Sequence, residues 1–139
     1  KFIDLSASIN RKVTIWTINK IKNFLRQMRK KKILILGVAY KKNVNDLRES
    51  ASLKILEKIN EIKSVKLDFY DSYIKKIKIN NKTIRSIKMN YRKLKNFDCV
   101  IILTDHSNLN YNLIKKFSKK IIDTRGVYKS SSSNKILHI

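Results

Sequence analysis

The sharpest constraint on this chain is ILIL at Ile33–Leu36, four branched apolar side chains with no polar residue among them. A strand that alternates apolar and polar positions rests one face on a core; this one needs cover on both, as in the interior of a parallel sheet. Gly37 then permits a tight exit, and a polar loop carrying Lys41, Lys42 and Arg48 follows. Asp46 with Glu49, or Ser50 alone, can cap a helix whose apolar positions are Leu53, Ile55, Leu56 and Ile59. Strand, cationic loop and helix start together gather positive charge and backbone N–H groups where an anion can dock.

The same grammar continues downstream. A helix near Ala51–Ile62 precedes a strand at Val65–Tyr70 that ends in Asp71. Within Ser72–Met89 the segment KKIKINNKTIRSIKM alternates apolar and polar residues, the pattern of a short hairpin or edge strand. Tyr91–Asn96 reads as a helical turn, and Val100–Thr104 as a second fully apolar strand. Asp105–Ser107 can cap a helix running through Leu113 to Phe117. Ile121–Ile122 delivers Asp123, Thr124 and Arg125 to a strand end, and Lys135–Ile139 adds a last strand. This alternation predicts a three-layer α/β/α fold with a mainly parallel, Rossmann-like sheet. Ligands of such sheets sit beyond the carboxyl ends of the strands, where Lys41, Arg48, Asp71, Asp105 and Arg125 all fall.

Ahead of the sheet, Phe2–Met28 reads as one long helix with apolar residues near helical spacing, Trp16 and Phe24 among them. It is longer than a small sheet needs for cover, so it either joins two domains or packs into a dimer. The organisation expected is therefore a helical segment at 1–29 and a sheet domain at 30–139.

Charge argues less than it first suggests. The 33 basic against 10 acidic residues give a net charge of +23, which points to nucleic acid as a partner. The lysines, however, are spread over the whole chain, and aromatic residues do not interleave them as a base-stacking platform requires. A solvated lysine coat accounts for them, with a basic nucleic-acid-binding module as the rival reading. No apolar run approaches the roughly 18 residues needed to span a bilayer, so no membrane partner is expected. The single cysteine, Cys99, has no internal disulfide partner, which suggests a reducing, cytoplasmic setting. Two histidines and no Cys/His cluster predict no metal site. The start at Lys1, without Met or a signal region, suggests a fragment.

GVAYKKNVNDLRES at 37–50 closely resembles the loop that opens the C-terminal domain of nucleotide-sugar 6-dehydrogenases, the UDP-glucose/GDP-mannose dehydrogenase family. The likeness continues in order along the chain. FIDLSASINRKV resembles the end of the family's central helical, dimer-forming segment, and VKLDFYDSYI its second strand. FDCVIILTDHSNLNY resembles the strand and TDH element of branches acting on UDP-N-acetylhexosamines, and IIDTRGVY the final DTR element. Ser72 and Ala51 stand where proline is common, Asn45 where Asp is common, and Gly126 where Asn is common.

The resemblance implies an enzyme that oxidises a UDP-sugar to a UDP-uronic acid for polysaccharide biosynthesis, using NAD. An N-terminal domain would hold NAD and supply a thioester-forming cysteine, and the long helix would make a homodimer. With two glycines the chain has no G-x-G-x-x-G, and Cys99 lies within a strand, so this part alone is expected to be inactive and to carry no catalytic residue. Tyr40 and Lys41 match the aromatic–Lys pair on the nucleotide-sugar, and Arg125 matches the arginine that binds UDP. Arg48 matches the arginine that reaches the NAD pyrophosphate. Each has a plainer alternative: Tyr40 packed on a helix, Lys41 in solvent, Arg48 paired with Asp46 or Glu49, Arg125 paired with Asp123. Asp105 and His106 could be an acid–base pair, but a helix cap explains Asp105 and no nucleophile lies near His106 in sequence. At the level of the whole chain the alternative to an enzyme piece is a stand-alone UDP-sugar-binding module.

Overall fold

In the computed structural model, residues 2–139 are described, with side-chain surroundings from Ser8 onward. A helix α1 (Phe2–Arg26) leads into strand β1 (Lys32–Leu36) and helix α2 (Ala51–Asn60), then β2 (Lys66–Tyr70). The hairpin β3 (Lys76–Ile79) and β4 (Lys82–Arg85) follows, then a 3-10 turn at Tyr91–Asn96. Strand β5 (Cys99–Ile102), helix α3 (Tyr111–Phe117), β6 (Ile121–Asp123) and β7 (Ile136–His138) complete the chain. The main sheet has the order β2-β1-β5-β6-β7, and every pairing in it is parallel.

Side-chain alternation along the buried strands builds two cores at once. Ile33 and Ile35 of β1, with Cys99 and Ile101 of β5, face α1, α2 and the hairpin, where they meet Ile21, Leu25, Leu56, Ile59, Ile77 and Ile79. Leu34 and Leu36, with Val100 and Ile102, face the other way onto Leu94, Ile114 and Tyr128. All four β1 residues from Ile33 to Leu36 are fully buried, so each contributes about 1.5–3 kcal/mol of apolar burial. This is the α/β/α layering that ILIL demands.

Local chemistry sets the connections. Ser50 caps α2, its Oγ accepting from the Leu53 N–H. The β3–β4 turn is made by Asn80 and Asn81, both at positive φ (51 and 66), the conformation a two-residue hairpin requires and Asn tolerates. At α3 the sequence reading needs correction. Asp105–Ser107 does not cap it; Asn110 does, accepting from the Leu113 N–H, and the helix begins at Tyr111. The residues from Asp105 to Ser107 instead bond to neighbouring loops. Helix α1 ends at Arg26 rather than Met28, and Ile18, Ile21 and Leu25 in its second half lie in the core. Phe24, partly buried, packs against that same core, whereas Trp16 is 51% exposed.

Candidate functional site

The chain leaves β1 toward β2 on one side and returns from β2 to β5 on the other, so connections diverge between β1 and β5. Such a reversal opens a crevice at the carboxyl ends of the strands, where doubly wound sheets bind their ligands. Three loops surround it: 37–50 after β1, 103–110 after β5, and 124–135 after β6.

The first loop is fastened at many points. Gly37, at φ +87, brings the backbone so close to Thr104 that an added Cβ would lie 2.1 Å from the Thr104 carbonyl oxygen. The Val38 and Ala39 N–H groups donate to Asp71 Oδ2 at 2.8 and 3.1 Å. The carbonyls of Val38 and Ala39 accept from the Ser50 and Thr104 hydroxyls at 2.6 and 2.9 Å. Tyr40 N–H closes the loop on the Asp46 carbonyl at 2.7 Å. What remains outward is chemical: Tyr40, Lys41 and Lys42 are exposed.

Two buried aspartates at strand ends organise these loops. Asp71, just beyond β2, takes Val38 and Ala39 on one oxygen and the N–H groups of Tyr73 and Ile74 on the other. Burial opposes its charge, but the hydrogen bonds from His106 and from the backbone outweigh that and hold its pKa below the usual carboxylate value. Asp123, at the end of β6, accepts from the N–H groups of Arg125, Val127 and Tyr128 and so shapes the DTR turn. The sequence alternative of an Arg125–Asp123 ion pair is therefore not what forms. Asp123 takes the Arg125 backbone, and the guanidinium turns to Asp105, with Nε 3.4 Å from Oδ1. Arg125 keeps half of its side chain in solvent.

Arg48 makes the local pair that its alternative anticipates, Nε and Nη2 each 3.1 Å from the two Asp46 oxygens. That contact lowers the Asp46 pKa and raises that of Arg48. The Arg48 side chain is 89% exposed, so its remaining donors face outward. Tyr40, Lys41, Arg48 and Arg125 all lie on the carboxyl edge, and no hydrogen bond or ion pair joins them to one another among the described residues. Cys99 sits inside the sheet, where burial pushes its thiol up to about 12. No group of three or more potential metal ligands occurs among the described residues.

His106 is the residue the sequence reading undervalued. It is fully buried, with Nε2 3.0 Å from Asp71 Oδ2 and Nδ1 receiving the Asn43 N–H at 2.8 Å. Its partners are 35 and 63 positions away, so no local motif announces them.

Residues 34–130 match the UDP-glucose/GDP-mannose dehydrogenase family, UDP binding domain. A UDP-N-acetyl-D-mannosamine dehydrogenase of Methanococcus vannielii is 30% identical over 125 residues, which cover 88% of this chain and 26% of that protein. Among solved structures, a UDP-D-ManNAc dehydrogenase from Pyrococcus horikoshii superposes with a TM-score of 0.70 at 26% identity, covering 95% of this chain and 32% of that one. The UDP-N-acetyl-mannosamine dehydrogenase of Staphylococcus aureus gives 0.69 at 27% identity, with coverages of 94% and 30%. The chain thus spans about 26–32% of the length of these relatives. From its matched segment and its fold alike, the chain belongs to the UDP-glucose/GDP-mannose dehydrogenase family and represents that family's UDP binding domain.

Proposed function

We propose that the chain is the substrate-nucleotide part of an NAD-dependent nucleotide-sugar 6-dehydrogenase that converts a UDP-sugar to a UDP-uronic acid for polysaccharide biosynthesis. In this reading residues 1–29 end a central helical segment, and residues 30–139 bind UDP. An N-terminal NAD-binding and catalytic domain is the partner, and α1 pairs two copies. The observation that carries it is the placement of Lys41 and Arg125 on loops following β1 and β6, the two strands that flank β5 at the open edge of the sheet. Arg125 keeps exposed guanidinium donors for a two-pronged phosphate contact, Lys41 supplies a point charge nearer the sugar, and Tyr40 offers an exposed ring beside it. Arg48 fits NAD only as one contact in a site completed elsewhere. Its free donors point outward, and the chain's two glycines build no pyrophosphate cradle. When bound, NAD would accept the electrons; the residues of this chain bind and orient.

The test is calorimetric titration of UDP into the wild type, Lys41→Ala, Arg125→Ala and, as a surface control, Lys129→Ala. Charge-assisted hydrogen bonds contribute roughly 1.5–3 kcal/mol each, so either of the first two losses weakens binding about tenfold to a hundredfold. Lys129→Ala binds as the wild type does. Equal affinities across all four proteins overturn the assignment.

A further inference from the structure

We infer that His106 is a positioning residue for the nucleotide-binding loop, a neutral imidazole bridge that carries the rigidity of the buried Asp71 carboxylate to the backbone of Asn43.

The tautomer follows from the partners. A backbone N–H can only donate, so Nδ1 of His106 accepts from Asn43 at 2.8 Å and the ring proton resides on Nε2. That proton is donated to Asp71 Oδ2 at 3.0 Å, the same oxygen that holds the N–H groups of Val38 and Ala39. One carboxylate oxygen therefore fixes the root of the loop directly and its tip through the ring. Tyr73 closes the other side, its ring 4.8 Å from the imidazole and steeply inclined to it.

Asn43 has φ 64, in the left-handed region that Asn adopts more readily than most residues, and its neighbours hold it there. Its side chain is held as well: Oδ1 accepts from the Ser107 N–H at 2.8 Å, and Nδ2 donates to Ser107 Oγ at 2.7 Å. Backbone and side chain together tie the loop after β1 to the loop after β5 across the strand-order reversal. Lys41 stands two residues from that tie, so its ammonium is aimed from a fixed backbone rather than swung on a free loop. Ordering the loop in advance removes an entropic cost from binding. The inference rests on the UDP-site reading above for its ligand.

Two amide substitutions separate the arms of the bridge. In His106→Asn the side-chain oxygen reaches the position of Nδ1 and still accepts from Asn43, but the link to Asp71 is lost. In His106→Gln the side-chain nitrogen reaches the position of Nε2 and still donates to Asp71, but Asn43 loses its acceptor. The readouts are hydrogen exchange at the Asn43 amide and UDP affinity. The expected result is reduced protection and about tenfold weaker binding in both variants, since each cuts one arm of the bridge. Imidazole nitrogen NMR of the wild type should show the proton on Nε2. Protection and affinity near those of the wild type in either variant, or a proton on Nδ1, overturns the inference. A wild type whose Asn43 amide follows this pattern but which does not bind UDP instead sinks the assignment of the site and leaves the loop bridge standing.

Discussion

Gly37 and Gly126 both sit at positive φ, +87 and +72, yet the structure asks different things of them. At Gly37 a methyl group would lie 2.1 Å from the Thr104 carbonyl oxygen and 2.5 Å from its Cβ, so the loops after β1 and β5 would have to separate. Gly37→Ala is expected to cost at least about 3 kcal/mol. At Gly126 nothing lies within 4 Å of a built Cβ, so only the backbone conformation resists, and Gly126→Ala costs about 1 kcal/mol. Gly126→Asn costs less than that, because Asn visits the left-handed region readily. Urea unfolding of the three variants ranks them, and comparable losses for Gly37→Ala and Gly126→Ala would refute the steric account. Asp71 makes a pH-dependent contribution. Its folded pKa is depressed, so the stability it adds is present above the unfolded value of about 4 and lost as pH falls through the folded one. Asp71→Asn places an amide N–H against buried donors and should remove about 2–4 kcal/mol at pH 7. The gap between variant and wild type should narrow on acidification below about pH 4. A gap that stays constant with pH would show that charge is not what Asp71 supplies.

At the scale of elements, what the sequence displayed was whatever local pattern controls. ILIL and the strand read at Val100–Thr104, which runs over Cys99–Ile102, could be placed because burial on two faces leaves a local signature, and Ser50 was one of the two caps that the residues before α2 offered. The KIKINNKTIR segment was readable only as a short hairpin or edge strand, since alternation marks a half-buried strand without saying what it pairs with. The loop after β5 was not. Asp105 and Ser107 are residue types that cap helices, but here Asp105 answers to Arg125 and Ser107 to Asn43, partners 20 and 64 positions away. Long-range pairing of polar side chains has no periodicity, which is why the cap shifted to Asn110 and why the role of His106 was invisible. The Asp105–Arg125 pair has a consequence for binding. A half-exposed, single-contact ion pair at 3.4 Å is worth under about 1 kcal/mol, yet its carboxylate competes with a diphosphate for the same guanidinium. Asp105→Asn should therefore tighten UDP binding by up to about fivefold. Weaker binding in calorimetry would mean that Asp105 aims Arg125 more than it competes for it.

For the molecule as a whole, α1 carries two apolar faces that the globule uses unequally. Ile18, Ile21 and Leu25 are buried against α2 and the sheet. Ile9, Val13 and Trp16 recur at helical spacing on the far side, roughly half a turn round the axis, and are 52%, 56% and 51% exposed. No helix of the described residues is long and apolar enough to cross a membrane. A second copy of the chain is the occupant we favour. A symmetric pairing lays one such stripe against its twin, whereas a +23 surface elsewhere repels close contact. Added salt should therefore strengthen the association by screening that repulsion, the opposite of its effect on a charge-driven complex. Light scattering of the whole chain at high concentration should report a dimer, and Val13→Glu with Trp16→Arg should return it to a monomer with the sheet intact by circular dichroism. The exposed sites of both substitutions leave the core undisturbed, so loss of the dimer cannot be blamed on unfolding. A wild type that stays monomeric in high salt would remove the self-pairing.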